Sequence, residues 1–89
     1  STLKAFRQRA ELLRDAETEK ALRALRNGTD PETALRSLAR GLTNKLLHQP
    51  SVQVRKAMAE GRTEVTECLR ELYQLDALEA DEPTTTEKL

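Results

Sequence analysis

Apolar residues recur at helical spacing through most of the chain. Leu3, Phe6, Ala10 and Leu13 follow one another at intervals of 3, 4 and 3, which places them on one side of a helix. The stripe lapses at Glu17 and resumes with Ala21, Leu22, Ala24 and Leu25. Asn27-Gly28 is a stop signal, because glycine readily adopts the left-handed backbone that closes a helix. The pattern predicts a first helix over 3–27. At ~1.5 Å per residue it would be roughly 37 Å long, against a radius of gyration of ~13 Å for a compact domain of ~100 residues. Its N-terminal half is expected to protrude, with its stripe packed on something outside this fold. The chain opens inside a helical pattern and is expected to be a piece of something longer.

The second predicted helix has the best start signal. Asp30 suits the N-cap, Pro31 the first helical position, and Glu32 the positive end of the helix dipole. Pro50 disfavours helical geometry at Gln49, so this helix is expected to end near 48. Leu35, Leu38, Leu42 and Leu46 form one face, and Ser37, Gly41, Asn44 and His48 form a second, roughly opposite. A helix with two uncharged faces is expected to be central and contacted from both sides. Gly41 in mid-helix costs about 1 kcal/mol relative to alanine, and a close helix crossing there would explain it.

A short third helix is expected from 50 or 51 to 60, carrying Val52, Ala57, Met58 and Ala59 and ended by Gly61. A fourth is expected over 63–75, with Thr63 as N-cap and Val65, Cys68, Leu69, Leu72 and Leu75 as its stripe. No strand pattern, internal repeat or sustained heptad appears. The fold class expected is all-α: a small bundle of about four helices with a long first helix, completed by a second chain. Residues 1–27 form the long helix, 28–75 the helical domain and 76–89 an acidic tail. With little apolar content to bury, that tail is expected to be disordered.

Composition sharpens the need for a partner. Of 89 residues, 37% are apolar and 2% aromatic, so the core must be thin and built from Leu, Ala and Val. Small domains bury a smaller share of their surface and are marginal alone. Net charge is zero but uneven: residues 1–62 carry 13 Lys and Arg against 7 Asp and Glu, whereas 63–89 carry 2 against 8. This reads either as solvated helix faces or as a basic binding face with an acidic tail. One cysteine cannot form an internal disulfide, so a reducing, cytoplasmic setting fits best. No apolar run approaches the ~18–20 residues of a membrane span, and no signal-peptide core is legible.

Candidate chemistry is sparse. His48 is the only histidine, and no Cys/His cluster has metal-ligand spacing. It reads most simply as a polar cap or hydrogen-bonding residue near a helix C-terminus, and Cys68 as a small core residue. Asn44 is either a plain surface amide or a buried one; if buried between helices it must find partners and would fix register. Gly28, Gly41 and Gly61 are scattered and form no phosphate-cradling loop. No nucleophile–base–stabiliser constellation appears, so the piece is not expected to be an enzyme by itself. The basic residues, Arg7, Arg9 and Arg14 among them, have no aromatic interleaving for base stacking. They could give weak, salt-sensitive contact to a phosphate backbone.

The run Leu42-Thr43-Asn44-Lys45-Leu46-Leu47-His48-Gln49-Pro50-Ser51-Val52 resembles a block near the C-terminus of the glutamyl-tRNA reductase family. There a similar run joins two helices of the dimerisation domain. Asn27-Gly28-Thr29-Asp30-Pro31 resembles the break after that family's long connecting helix. Ala59-Glu60-Gly61 with Cys68-Leu69-Arg70-Glu71-Leu72 resembles the domain's close. The likeness covers about 3–75. It implies a V-shaped homodimer whose parent enzyme reduces glutamyl-tRNA to glutamate-1-semialdehyde with NADPH, in tetrapyrrole (porphyrin) biosynthesis. It implies that the first helix is the end of a spinal helix. The catalytic cysteine and the NADPH site are implied to lie upstream, so no catalytic, cofactor-binding or metal residue carries over and Cys68 has no counterpart.

The function expected is therefore homodimerisation. The interface residues expected are Leu35, Leu38, Leu42, Leu46 and Val52, with Leu69 and Leu72 closing the bundle, Gly41 permitting close approach, and Asn44 and His48 supplying cross-helix hydrogen bonds. The alternative is a tRNA-contacting helical module using the basic face.

Overall fold

The computed structural model describes residues 1–80. It is helical throughout: α1 spans Thr2–Arg26, α2 Pro31–Ala59, α3 Thr63–Tyr73 and α4 Asp76–Ala80. Two compact units result, dividing after His48.

The helix ends follow local chemistry. α1 closes with Gly28 at φ +92°. The Gly28 N–H donates to the Leu25 carbonyl at 3.1 Å and the Thr29 N–H to that of Ala24 at 2.9 Å. These two bonds satisfy carbonyls that the helix end would leave open. Gly61, at φ +75°, repeats the arrangement after α2, with Arg62 N–H on the Ala57 carbonyl at 2.9 Å. Asp30 caps α2 as its spacing predicts, accepting from the Thr33 N–H at 3.2 Å.

Three boundaries differ from expectation. The second and third helices are one helix, α2, with Pro50 inside it. Proline removes one donor and crowds the carbonyl four residues back, a local penalty at Leu46. The residues beyond it still gain from packing: Ala57 is buried, and Ser51 and Val54 are half-buried. His48 consequently lies within a helix and caps none. Thr63 is the first residue of α3, and the capping position belongs to Arg62, which makes no side-chain cap. α3 stops at Tyr73 because Gln74 turns left-handed at φ +53°.

Asp76–Ala80, in the segment expected to lack fixed structure, form α4, and Arg70 Nε of α3 donates to Glu79 Oε1 at 2.6 Å. The remainder of the expected tail lies outside the described residues.

In the first unit α1 and residues 31–48 of α2 run antiparallel across a four-residue connection. Their seam is made of small side chains. Ala34 is buried, and Ala21, Ala24 and Gly41 are half-buried. In the second unit Ala57 is buried, with Val54, Val65, Leu69 and Leu75 half-buried.

Candidate dimer interface

The residues that ought to form a core stand on the surface. Ala34 and Ala57 are the only buried apolar residues among those described. On α1, Leu3 is 79% exposed, and Phe6, Leu12, Leu22 and Leu25 are exposed too. On α2, Leu35 is 65% exposed, with Leu46, Leu47, Val52 and Met58 also open. Leu72 and Tyr73 of α3 are exposed in the second unit. A helix pair that closes on alanine and glycine brings its backbones together and turns its larger side chains outward.

In the first unit this leaves an apolar groove of about 320 Å³. Leu22 and Leu25 of α1 form one wall, Pro31, Leu35 and Leu38 of α2 the other, and Ala21 and Ala34 the floor.

The seam itself holds one charge. Glu17 is only 5% exposed and is seated over Gly41: a Cβ added there would collide with Glu17 Oε1 and lie 3.3 Å from its carboxyl carbon. Lys20 Nζ lies 3.6 Å from one carboxylate oxygen and Lys45 Nζ 4.0 Å from the other. Oε1 accepts no hydrogen bond among the described residues. The carboxylate is thus held by two exposed ammonium groups at ion-pair distance only. Sequence reasoning passed over Glu17, although its signal was present. The lapse of the α1 stripe falls at Glu17, and the unexplained mid-helix glycine is its seat.

Of the expected interface residues, Leu35, Leu46, Val52 and Leu72 are exposed, while Leu38, Leu42 and Leu69 are half-buried. Gly41, expected to let a partner approach closely, is half-buried, and Glu17 of the same chain takes the space over it. Asn44 and His48 are exposed, so the described chain leaves both side chains open to an outside partner. Cys68 is also exposed rather than in the core. It lies about 100° round the helix from half-buried Leu69.

Two carboxyl–guanidinium groupings mark the second unit. The backbone N–H at the start of α3, helped by the Arg62 guanidinium at 3.2 Å, holds the Glu64 carboxyl below its ordinary range. The hydrogen bond to Glu79 raises the Arg70 guanidinium further. Arg70 also lines an open pocket of about 450 Å³ with Glu67, Glu71, Gln74 and Asp76. Among the described residues no group of three or more His, Cys, Asp or Glu could hold a metal ion. None of the described helices is long and apolar enough to cross a membrane.

Comparison with known proteins places this architecture. The family model described as "Glutamyl-tRNAGlu reductase, dimerisation domain" matches residues 1–75. A glutamyl-tRNA reductase of Marinobacter nauticus is 98% identical over the whole chain, which covers 21% of that relative. The Hahella chejuensis reductase is 63% identical over 75 residues, 84% of this chain and 18% of that relative. The Pseudomonas aeruginosa reductase is 57% identical over 74 residues, 83% of this chain and 18% of that relative. The chain thus spans about a fifth of the length of the relatives it matches. No solved structure matches it. With three-quarters and more of its length accounted for by one family model, the chain belongs to the glutamyl-tRNA reductase dimerisation-domain family.

Proposed function

We propose that this chain is the homodimerisation module of a glutamyl-tRNA reductase, and that two copies shelter each other's exposed leucines. One observation carries the reading: two alanines are the whole of the buried apolar core described, while the leucines of α1 and α2 lie open. Fully burying one such side chain contributes about 1.5–3 kcal/mol. Four or five per copy can offset the ~4–15 kcal/mol that association costs. The surface on the first unit is Leu35, Leu38, Leu42 and Leu46, with Asn44 and His48 as hydrogen-bonding groups beside Gly41. On the second unit it is Val52, Leu69 and Leu72.

The parent enzyme reduces the glutamyl group of glutamyl-tRNA to glutamate-1-semialdehyde with NADPH, in the cytoplasm, as a step of tetrapyrrole synthesis. This piece takes no part in that chemistry. A dinucleotide phosphate needs a glycine-rich turn leading into a helix N-terminus. Gly28 and Gly61 instead close helices, and Gly41 is filled by Glu17. We assign NADPH to the part of the enzyme upstream of this piece.

The test is the molar mass in solution. Light scattering at ~100 μM, well above a micromolar dissociation constant, should give twice the 10.0 kDa of one chain. A folded monomer at that concentration refutes the reading.

A second reading is weak tRNA contact. Arg9, Arg23, Arg26, Arg40 and Arg55 are exposed and form no ion pair among the described residues. Binding of tRNA at ~50 mM salt that weakens steeply as salt rises would support it, and none at low salt would remove it.

A further inference from the structure

The α1–α2 seam presents a physical problem. Alanine and glycine surfaces are shallow, and two such helices can slide by a turn without losing much packing. The four-residue connection limits that slide at one end, and a group that fits in one place only would fix the alignment along the rest of the seam. Glu17 has that property. It is the one charged side chain buried among the described residues, and Gly41 is the only glycine of α2. A one-turn slip either way would set the carboxylate against Ser37 or Leu38, or against Asn44 or Lys45, all of which carry a Cβ. It would also change the placing of the carboxylate against Lys45 of α2, while Lys20, on α1, travels with Glu17. In the slip that sets it against Leu38 the charge would be buried beside an apolar side chain, which is disfavoured. A buried polar group that excludes wrong alignments while lowering stability is a known use of such residues.

We infer that Glu17, seated over Gly41, fixes the register of α1 on α2 and thereby the shape of the apolar groove presented to a second chain, at a cost in stability. The groove's walls come from different helices, Leu22 and Leu25 from α1 and Leu35 and Leu38 from α2. They meet correctly only in one alignment. The link to assembly rests on the homodimer reading, while the register claim concerns one chain.

The experiment measures both. Spin labels are placed through Arg9→Cys and Arg40→Cys, both exposed and one on each helix, with Cys68→Ser to remove the native thiol. Labelled chain is diluted in excess unlabelled chain, so that distances within one chain are read. The parent should give one narrow distance. Glu17→Met keeps the length but not the charge, and Glu17→Ala removes the side chain. At least one of them should show a second distance while melting no lower than the parent, a pairing that a merely supportive residue would not produce. If about a third of chains keep the native register, and both partners must, the dimer constant weakens about tenfold. A single parental distance in every variant that folds overturns the inference. A parent chain that is monomeric throughout would sink the homodimer reading instead, and the distances would still decide the register.

Discussion

The Glu17 carboxylate and the missing side chain of Gly41 occupy one space. The two residues come from different helices, one interrupting an apolar stripe and the other a poor helix former in mid-helix. Each looks unfavourable alone. Substituting Gly41→Ala gains about 1 kcal/mol of helix propensity, but the added Cβ must displace the end of the flexible Glu17 side chain. The expected result is little or no net gain in urea unfolding. In a Glu17→Ala background the same change should stabilise instead. The cycle should give a coupling of about 1 kcal/mol; equal effects in both backgrounds would show that the two groups do not compete.

Glu17→Met should raise stability by about 1–2 kcal/mol. Replacing a buried ionic group with an apolar one of similar volume is often neutral or stabilising. Here the partners Lys20 and Lys45 are themselves mostly exposed, so no stranded charge is left buried. The chemical-denaturation midpoint reads the effect, and a midpoint lower than the parent's would contradict it.

Leu35→Asp should separate the two copies without unfolding either. The side chain is already open to water in the single chain, so the folded copy tolerates a charge there. Buried in a joint interface, that charge should cost about 2 kcal/mol or more, roughly a thirtyfold weaker dimer. Sedimentation and circular dichroism together check it: the mass should halve while helicity stays.

Pro50→Ala should strengthen α2. The change restores a backbone donor and removes the crowding of the Leu46 carbonyl, worth up to about 3 kcal/mol in a helix interior. Thermal unfolding should shift upward. No shift would mean that the helix is broken at this point in solution.

Glu64 should titrate below the ordinary 4.5, held down first by the backbone hydrogen bond at the start of α3 and then by Arg62. A depressed carboxyl stabilises the fold above its unfolded value and loses that contribution as pH falls through the lowered folded value. Carbon-detected magnetic resonance of the Glu64 carboxyl measures this directly. In Glu64→Gln the α3 signals should lose the part of their acid dependence below pH ~4.5 that belongs to this group. A Glu64 titration at or above the ordinary value would contradict the expectation.

Much of the fold was legible along the chain because it depends on neighbours in sequence. The long first helix, its glycine stop and the Asp30 cap are set by residues within one turn, and the apolar spacing marked the helices that follow. The lack of a self-sufficient core was also legible, since so few large side chains are available. Other features depended on contacts that a linear pattern does not contain. α2 passes through Pro50, where packing around Ala57 outweighs a local preference. Cys68 lies outside because α3 turns Val65 and Leu69 inward instead. The leucines expected to meet a partner were identified correctly as apolar, but which of them remain open is decided by the small-residue seam. Glu17 and Gly41 were each visible as anomalies, but they stand twenty-four residues apart in the chain. Only the antiparallel pairing of α1 with α2 brings them together, because a buried charge acquires its meaning from what packs against it in space.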